Sequence, residues 1–156
     1  MSPYRLTLAI HPSTYGFGYA LADGPLSLVD WGLAHAKGDK NAECLRKAEK
    51  LLTRYRPDLL VLEEFDAKAS RRHPRIRRLC RSLVSLASVH NIATWFVSRE
   101  NVAIKLGLLE GATRYHVAGR VAEIFPELKH LLPPPRSVWE NEQPKMALLA
   151  SAAYLT

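Results

Sequence analysis

At 156 residues the chain is long enough to bury one core without staples and short for two ordinary domains. Apolar residues make up 47% and charged residues 24%, which excludes a disordered or low-complexity chain, and no apolar run approaches the roughly 20 residues of a membrane span. The net charge of +7 favours a polyanionic partner, nucleic acid first.

Tyr4 to Ile10 reads as a buried strand that leaves into a turn at His11-Pro12-Ser13. Gly16 to Ala22 is a second strand, and Asp23-Gly24-Pro25 is a strong turn signal before a third, Leu26 to His35. Three strands so close together predict an antiparallel meander. From Lys40 to Arg56 the period changes to helical, with Leu45, Ala48, Leu51, Leu52 and Tyr55 on one stripe and Pro57 as the stop. Leu59-Leu60-Val61-Leu62-Glu63 is nearly all apolar, as a central strand covered on both faces should be. A second helical stripe runs through Ile76, Leu79, Cys80, Leu83, Leu86, Ala87 and His90, and Ala93 to Val97 is the fifth strand. Helical stretches follow near Asn101–Leu106 and Ala112–Phe125, then a proline-rich loop from Leu131 to Arg136, then a last helix from about Pro144. Cys44 and Cys80 both fall in helical patterns, so a disulfide framework is not expected and the default compartment is the cytoplasm. The amino terminus shows no secretory pattern, and no zinc-ligand spacing is present.

Two places carry the chemistry of a strand-end site. Residues at the carboxyl ends of sheet strands face the crevice where α/β proteins bind ligands. His11 sits at the end of the first strand, where it is either a local turn residue or a metal ligand or general base, and an imidazole suits zinc or manganese better than magnesium. Glu63 and Glu64 end the central strand, and alternation sends one of them inward. An inward carboxylate there is costly unless paired, bound to a cation or protonated, which makes Glu63 the strongest site signal.

The stretch from Lys68 to Arg81 holds seven Lys or Arg in fourteen positions: Lys68, Arg71, Arg72, Arg75, Arg77, Arg78 and Arg81. Arginine matches phosphate bidentately, so this segment is the candidate nucleic-acid contact, against the alternative of a solvated basic face. Lys105, Gly107 and Arg114 form a weaker second candidate. Glu140 and Glu142 precede the last helix, where acids also serve simply to cap it.

The order of these pieces resembles the RuvC family of Holliday-junction resolvases, nearly end to end. Ile10-His11-Pro12-Ser13 and the Gly-rich Gly16-Phe17-Gly18-Tyr19 match its opening, and Val61 to Lys68 matches its central strand with the following Glu, Phe and Ala-Lys. Lys105, Gly107, Arg114 and the Ala-rich last helix complete the series. The resemblance implies an α/β ribonuclease H-like fold of RuvC type, with a mixed five-stranded sheet and helices on both faces, spanning 1–156 as a single domain. It also implies four catalytic acids, of which Glu63 alone is plainly kept: the first falls on His11 and the last two on Ala147 and Ala150. Glu142 lies about 12 Å along the helix axis from Ala150 and does not simply replace it. The expectation is a RuvC-like nucleic-acid-binding protein with impaired catalysis, its partner branched or duplex DNA, possible homodimerisation, no membrane, and no certain cofactor. The alternatives are a magnesium- or manganese-dependent endonuclease using His11 and Glu63, with Glu142 as a weak third candidate, and an assembly subunit of a DNA-processing complex.

Overall fold

Strand β1 (Leu6–Ser13) runs antiparallel to β2 (Gly16–Asp23), and β2 antiparallel to β3 (Leu28–His35), which is the meander expected from the short turns. In the computed structural model, residues 6–24, 27–65, 73–108, 113–132 and 145–156 are described. Strands β4 (Leu59–Glu63) and β5 (Ala93–Val97) are parallel additions, giving the order β3-β2-β1-β4-β5 in one mixed sheet. Helices are α1 (Lys40–Tyr55), α2 (Pro74–Val89), α3 (Arg99–Lys105), α4 (Arg114–Ile124) and α5 (Lys145–Tyr154).

Alternation along the central strands divides the core into two. Leu8 and Ile10 of β1 and Leu60 and Leu62 of β4 join Cys44, Ala48, Leu52, Leu79 and Leu83 of α1 and α2 on one face. Ala9, Leu59 and Val61 join Val102, Val121, Phe125 and α5 on the other. The stripes read as helical face inward in part. On α1 Ala48 and Leu52 are buried while Leu45, Leu51 and Tyr55 are half-buried, and Cys44, outside the stripe, is buried as well. On α2 Ile76, Leu79, Cys80, Leu83 and Ala87 are buried, with Leu86 and His90 half-buried. Arg56 ends α1 in the left-handed region, at φ 46°, just before Pro57.

Three sequence expectations shift. His11 is not in a turn: β1 continues through Ser13, with His11 opposite Gly18 and Pro12 opposite Phe17. Pro12 is tolerated because β4 pairs with β1 only from Thr7 to Ala9, so the proline lies beyond that ladder. The helix expected from Ala112 to Phe125 stops at Ile124, and Pro126–Leu131 winds as a 3-10 helix. The small third helix begins at Arg99, capped by the Ser98 side chain, rather than at Asn101. The Leu26 start of the third strand, the three consecutive prolines and the helix start near Pro144 lie outside the described residues.

Helix α5 approaches the sheet unusually closely. A Cβ at Gly18 would overlap the backbone of Ala147 and Leu148. Glycine at 18 and alanine at 147 are therefore a matched pair, the helix backbone lying directly on β2. All described α5 side chains from Met146 to Tyr154 are buried except Ala150, which is half-buried.

Candidate functional site

The same alternation that builds the core aims His11 and Glu63 into one crevice. His11 follows Ala9 and Glu63 follows Val61 on the face covered by α5, both at the carboxyl end of the sheet. A cleft of about 150 Å³ opens there, with His11, Glu63, Arg99, Thr113 and Tyr154 among its polar lining and Val102, Val117, Met146 and Leu149 among its apolar walls. Glu64, the other member of the acidic pair, is exposed.

Each chemical group in the crevice meets a partner from the chain itself. His11 is 8% exposed, and its Nδ1 is hydrogen-bonded to the Tyr154 hydroxyl at 2.5 Å. The Glu63 side chain is 13% exposed and lies 3.7 Å from Arg99 Nε, at the start of α3. Ala150 lines the cleft, and Ala147 is buried against Gly18. Tyr154 and Arg99 did not emerge from the sequence. Tyr154 had a faint signal, since it follows Ala150 by four residues and shares its helical face. Arg99 had none beyond its place after the fifth strand.

Two divalent ions about 4 Å apart need several carboxylates to hold them and offset their charge. Among the described residues no group of three or more His, Cys, Asp or Glu could hold a metal ion. Among the described residues the crevice has one carboxylate, facing a guanidinium, beside an imidazole bound to a phenol, and that set does not fit a two-ion centre. Glu142, Glu140 and Asp66 lie outside the described residues.

The basic candidates divide. Arg78 and Arg81 are exposed on α2, opposite the buried stripe. Arg75 is half-buried and donates to Asn41 Oδ1 (3.0 Å) and to the Ser13 carbonyl (3.3 Å). Arg77 is turned back to the Phe65 carbonyl at 3.0 Å. Lys105 is exposed in the last turn of α3, and Gly107 just beyond it takes φ 73°. Lys68, Arg71, Arg72 and the side chain of Arg114 lie outside the described residues.

A further polar cluster on the α1 face was not anticipated. Asp30 of β3 accepts hydrogen bonds from Tyr55 (2.5 Å) and Tyr19 (3.3 Å). Burial first, then the Asp30 charge and hydrogen bond, push the Tyr19 phenol up to about 12. The hydrogen bond to Asp30 is the main reason that the Tyr55 phenol is also raised. Both phenols are thus kept protonated, and the cluster ties α1 to the β2–β3 hairpin.

No protein-family model matches the sequence, and no curated protein matches it by sequence comparison. Solved structures do match the fold. Thermus thermophilus RuvC superposes with a TM-score of 0.66 at 15% identity, over 96% of this chain and 90% of that one. T. thermophilus RuvC in complex with Holliday junction substrate gives 0.69 at 16% identity, over 97% and 91%. The yeast mitochondrial Holliday junction resolvase Ydc2 gives 0.61 at 13% identity, over 99% and 79%. The chain has a RuvC-like fold.

Proposed function

We propose that this RuvC-like chain binds branched or duplex nucleic acid, DNA in the first place, and lacks efficient two-metal nuclease activity. The observation that carries the reading is the internal pairing of the crevice: Glu63 with Arg99, His11 with Tyr154, and alanine at 147 and 150. A cleaving site must present its carboxylates to ions, and here the kept carboxylate faces a cation supplied by the chain. The net charge of +7 and the outward Arg78 and Arg81 support binding, and a similar fold is known on a Holliday junction substrate. No helix among the described residues is long and apolar enough to cross a membrane. We expect the protein in the cytoplasm and two copies on a junction, which light scattering with and without DNA checks.

The test pairs binding with cleavage. Fluorescence anisotropy at low salt should show binding of four-way and duplex DNA that weakens steeply as salt rises. Gel assays with magnesium and with manganese should show no cleavage beyond that left in Glu63→Ala. Absence of binding to DNA and RNA alike overturns the reading. Cleavage that Glu63→Ala abolishes establishes the rival, a one-ion endonuclease built on the two groups that share this crevice, His11 and Glu63.

A further inference from the structure

The tip of the β1–β2 hairpin is surrounded by three cations, of which the basic stretch supplies only Arg75. Lys40, the first residue of α1, donates to the Thr14 carbonyl at 2.7 Å. Arg75, in the first turn of α2, donates to the adjacent Ser13 carbonyl. Lys47 donates to the carbonyl of His35, at the end of β3. The N-termini of two 16-residue helices meet here, and they are cross-linked: Asn41 Nδ2 donates to the Arg75 carbonyl (3.1 Å), and Arg75 returns a bond to Asn41 Oδ1.

The acceptors are neutral. A carbonyl fixes a cation in place without cancelling its charge. Among the described residues Lys40 and Arg75 have no carboxylate within ion-pair distance, and Lys47 has Glu43 at 3.8 Å, which is already engaged by Arg46 at 2.5 Å. The carboxylate of Asp39 is used as the N-cap of α1, accepting from Ala42. The three charges share one locus. Burial pushes the Cys44 thiol up, Arg75 and Lys47 pull it the other way, and Glu43 (raising) and Lys40 (lowering) follow as smaller influences. Two helix dipoles add partial positive charge at the same spot.

We propose that Lys40 and Arg75, at the joined N-termini of α1 and α2, and Lys47, two turns further along α1 and held at the end of β3, form a phosphate-binding locus that engages the backbone of the bound nucleic acid. This rests on the nucleic-acid reading and extends it to the α1 side of the sheet end. The chemistry is that of phosphodiester anions without sequence preference. A strand lying across the carboxyl end of the sheet meets the crevice on one face and this locus on the other.

Anisotropy titrations of a 20-base-pair duplex and a four-way junction over a salt series test it, on wild type, Lys40→Gln/Lys47→Gln, Lys40→Arg/Lys47→Arg and the control Lys50→Gln/Lys129→Gln. Each phosphate contact contributes about 0.9 to the slope of log affinity against log salt. Lys40→Gln/Lys47→Gln should reduce that slope by roughly 1.8 and lower low-salt affinity by about tenfold or more. The arginine pair should restore both, and the control should match wild type, with unchanged melting temperatures throughout. If wild type binds and Lys40→Gln/Lys47→Gln keeps the wild-type slope, the locus is wrong and the nucleic-acid reading stands. If wild type binds neither DNA nor RNA but binds vesicles of anionic phospholipid, both are wrong.

Discussion

The two faces of the sheet are covered by opposite means. On one face α1 and α2 are amphipathic: they bury a stripe of Cys44, Ala48, Leu52, Leu79 and Leu83 and present charge outward. On the other face α5 is buried on nearly every side and rests on β2 with no side chain between. An amphipathic helix can carry charge to the rim of the sheet at little cost. A helix packed backbone to backbone cannot, so its polar groups must be answered internally. The difference reappears at the carboxyl end of the sheet. There the α5 side holds the matched pairs Glu63–Arg99 and His11–Tyr154, and the α1–α2 side holds cations bound to neutral carbonyls.

Substitution at Gly18 should break this contrast most severely. Gly18→Ala forces α5 off the sheet, and chemical denaturation should show a loss of about 3 kcal/mol. By comparison Leu45→Ala, on the half-buried edge of α1, should cost less because that helix can settle. Tyr154→Phe comes next. It leaves His11 without its hydroxyl partner in a buried place, and should lower stability by about 1–2 kcal/mol in the same assay.

The α1 face has its own polar tie, which alkaline pH should expose. The phenols of Tyr19 and Tyr55 hold their protons more tightly folded than unfolded, where tyrosine titrates near 10. Their contribution is therefore fully present below pH 10 and is lost at higher pH, that of Tyr19 as pH rises through about 12. Melting temperature followed across that interval should fall, and fall less in Asp30→Asn. Arg99→Ala should have the smallest effect, under about 1 kcal/mol, because that guanidinium is 59% exposed and water screens the pair.

Much of this architecture could be read from residues in order. The apolar run Leu59–Leu62 marked the central strand because a strand covered on both faces has no polar side. The stripes of α1 and α2 were legible because each helix has one wet face. Helix α5 gave a poorer signal, since a helix buried all round has no periodicity to read. His11 and Glu63 were found by their position at strand ends. Their partners were not, because Tyr154 lies 143 residues from His11 and meets it through packing alone. The Asp30–Tyr19–Tyr55 cluster was missed for the same reason: three elements supply it, and none carries a local pattern.

The carbonyl contacts at the hairpin tip also bear on entropy. A lysine free in solvent gives up about 1.5–2 kcal/mol of rotamer freedom when it is captured. Lys40 and Arg75 have surrendered theirs during folding, to the carbonyls of Thr14 and Ser13. An anion arriving there encounters charges that already stand still, and its capture costs correspondingly little disorder.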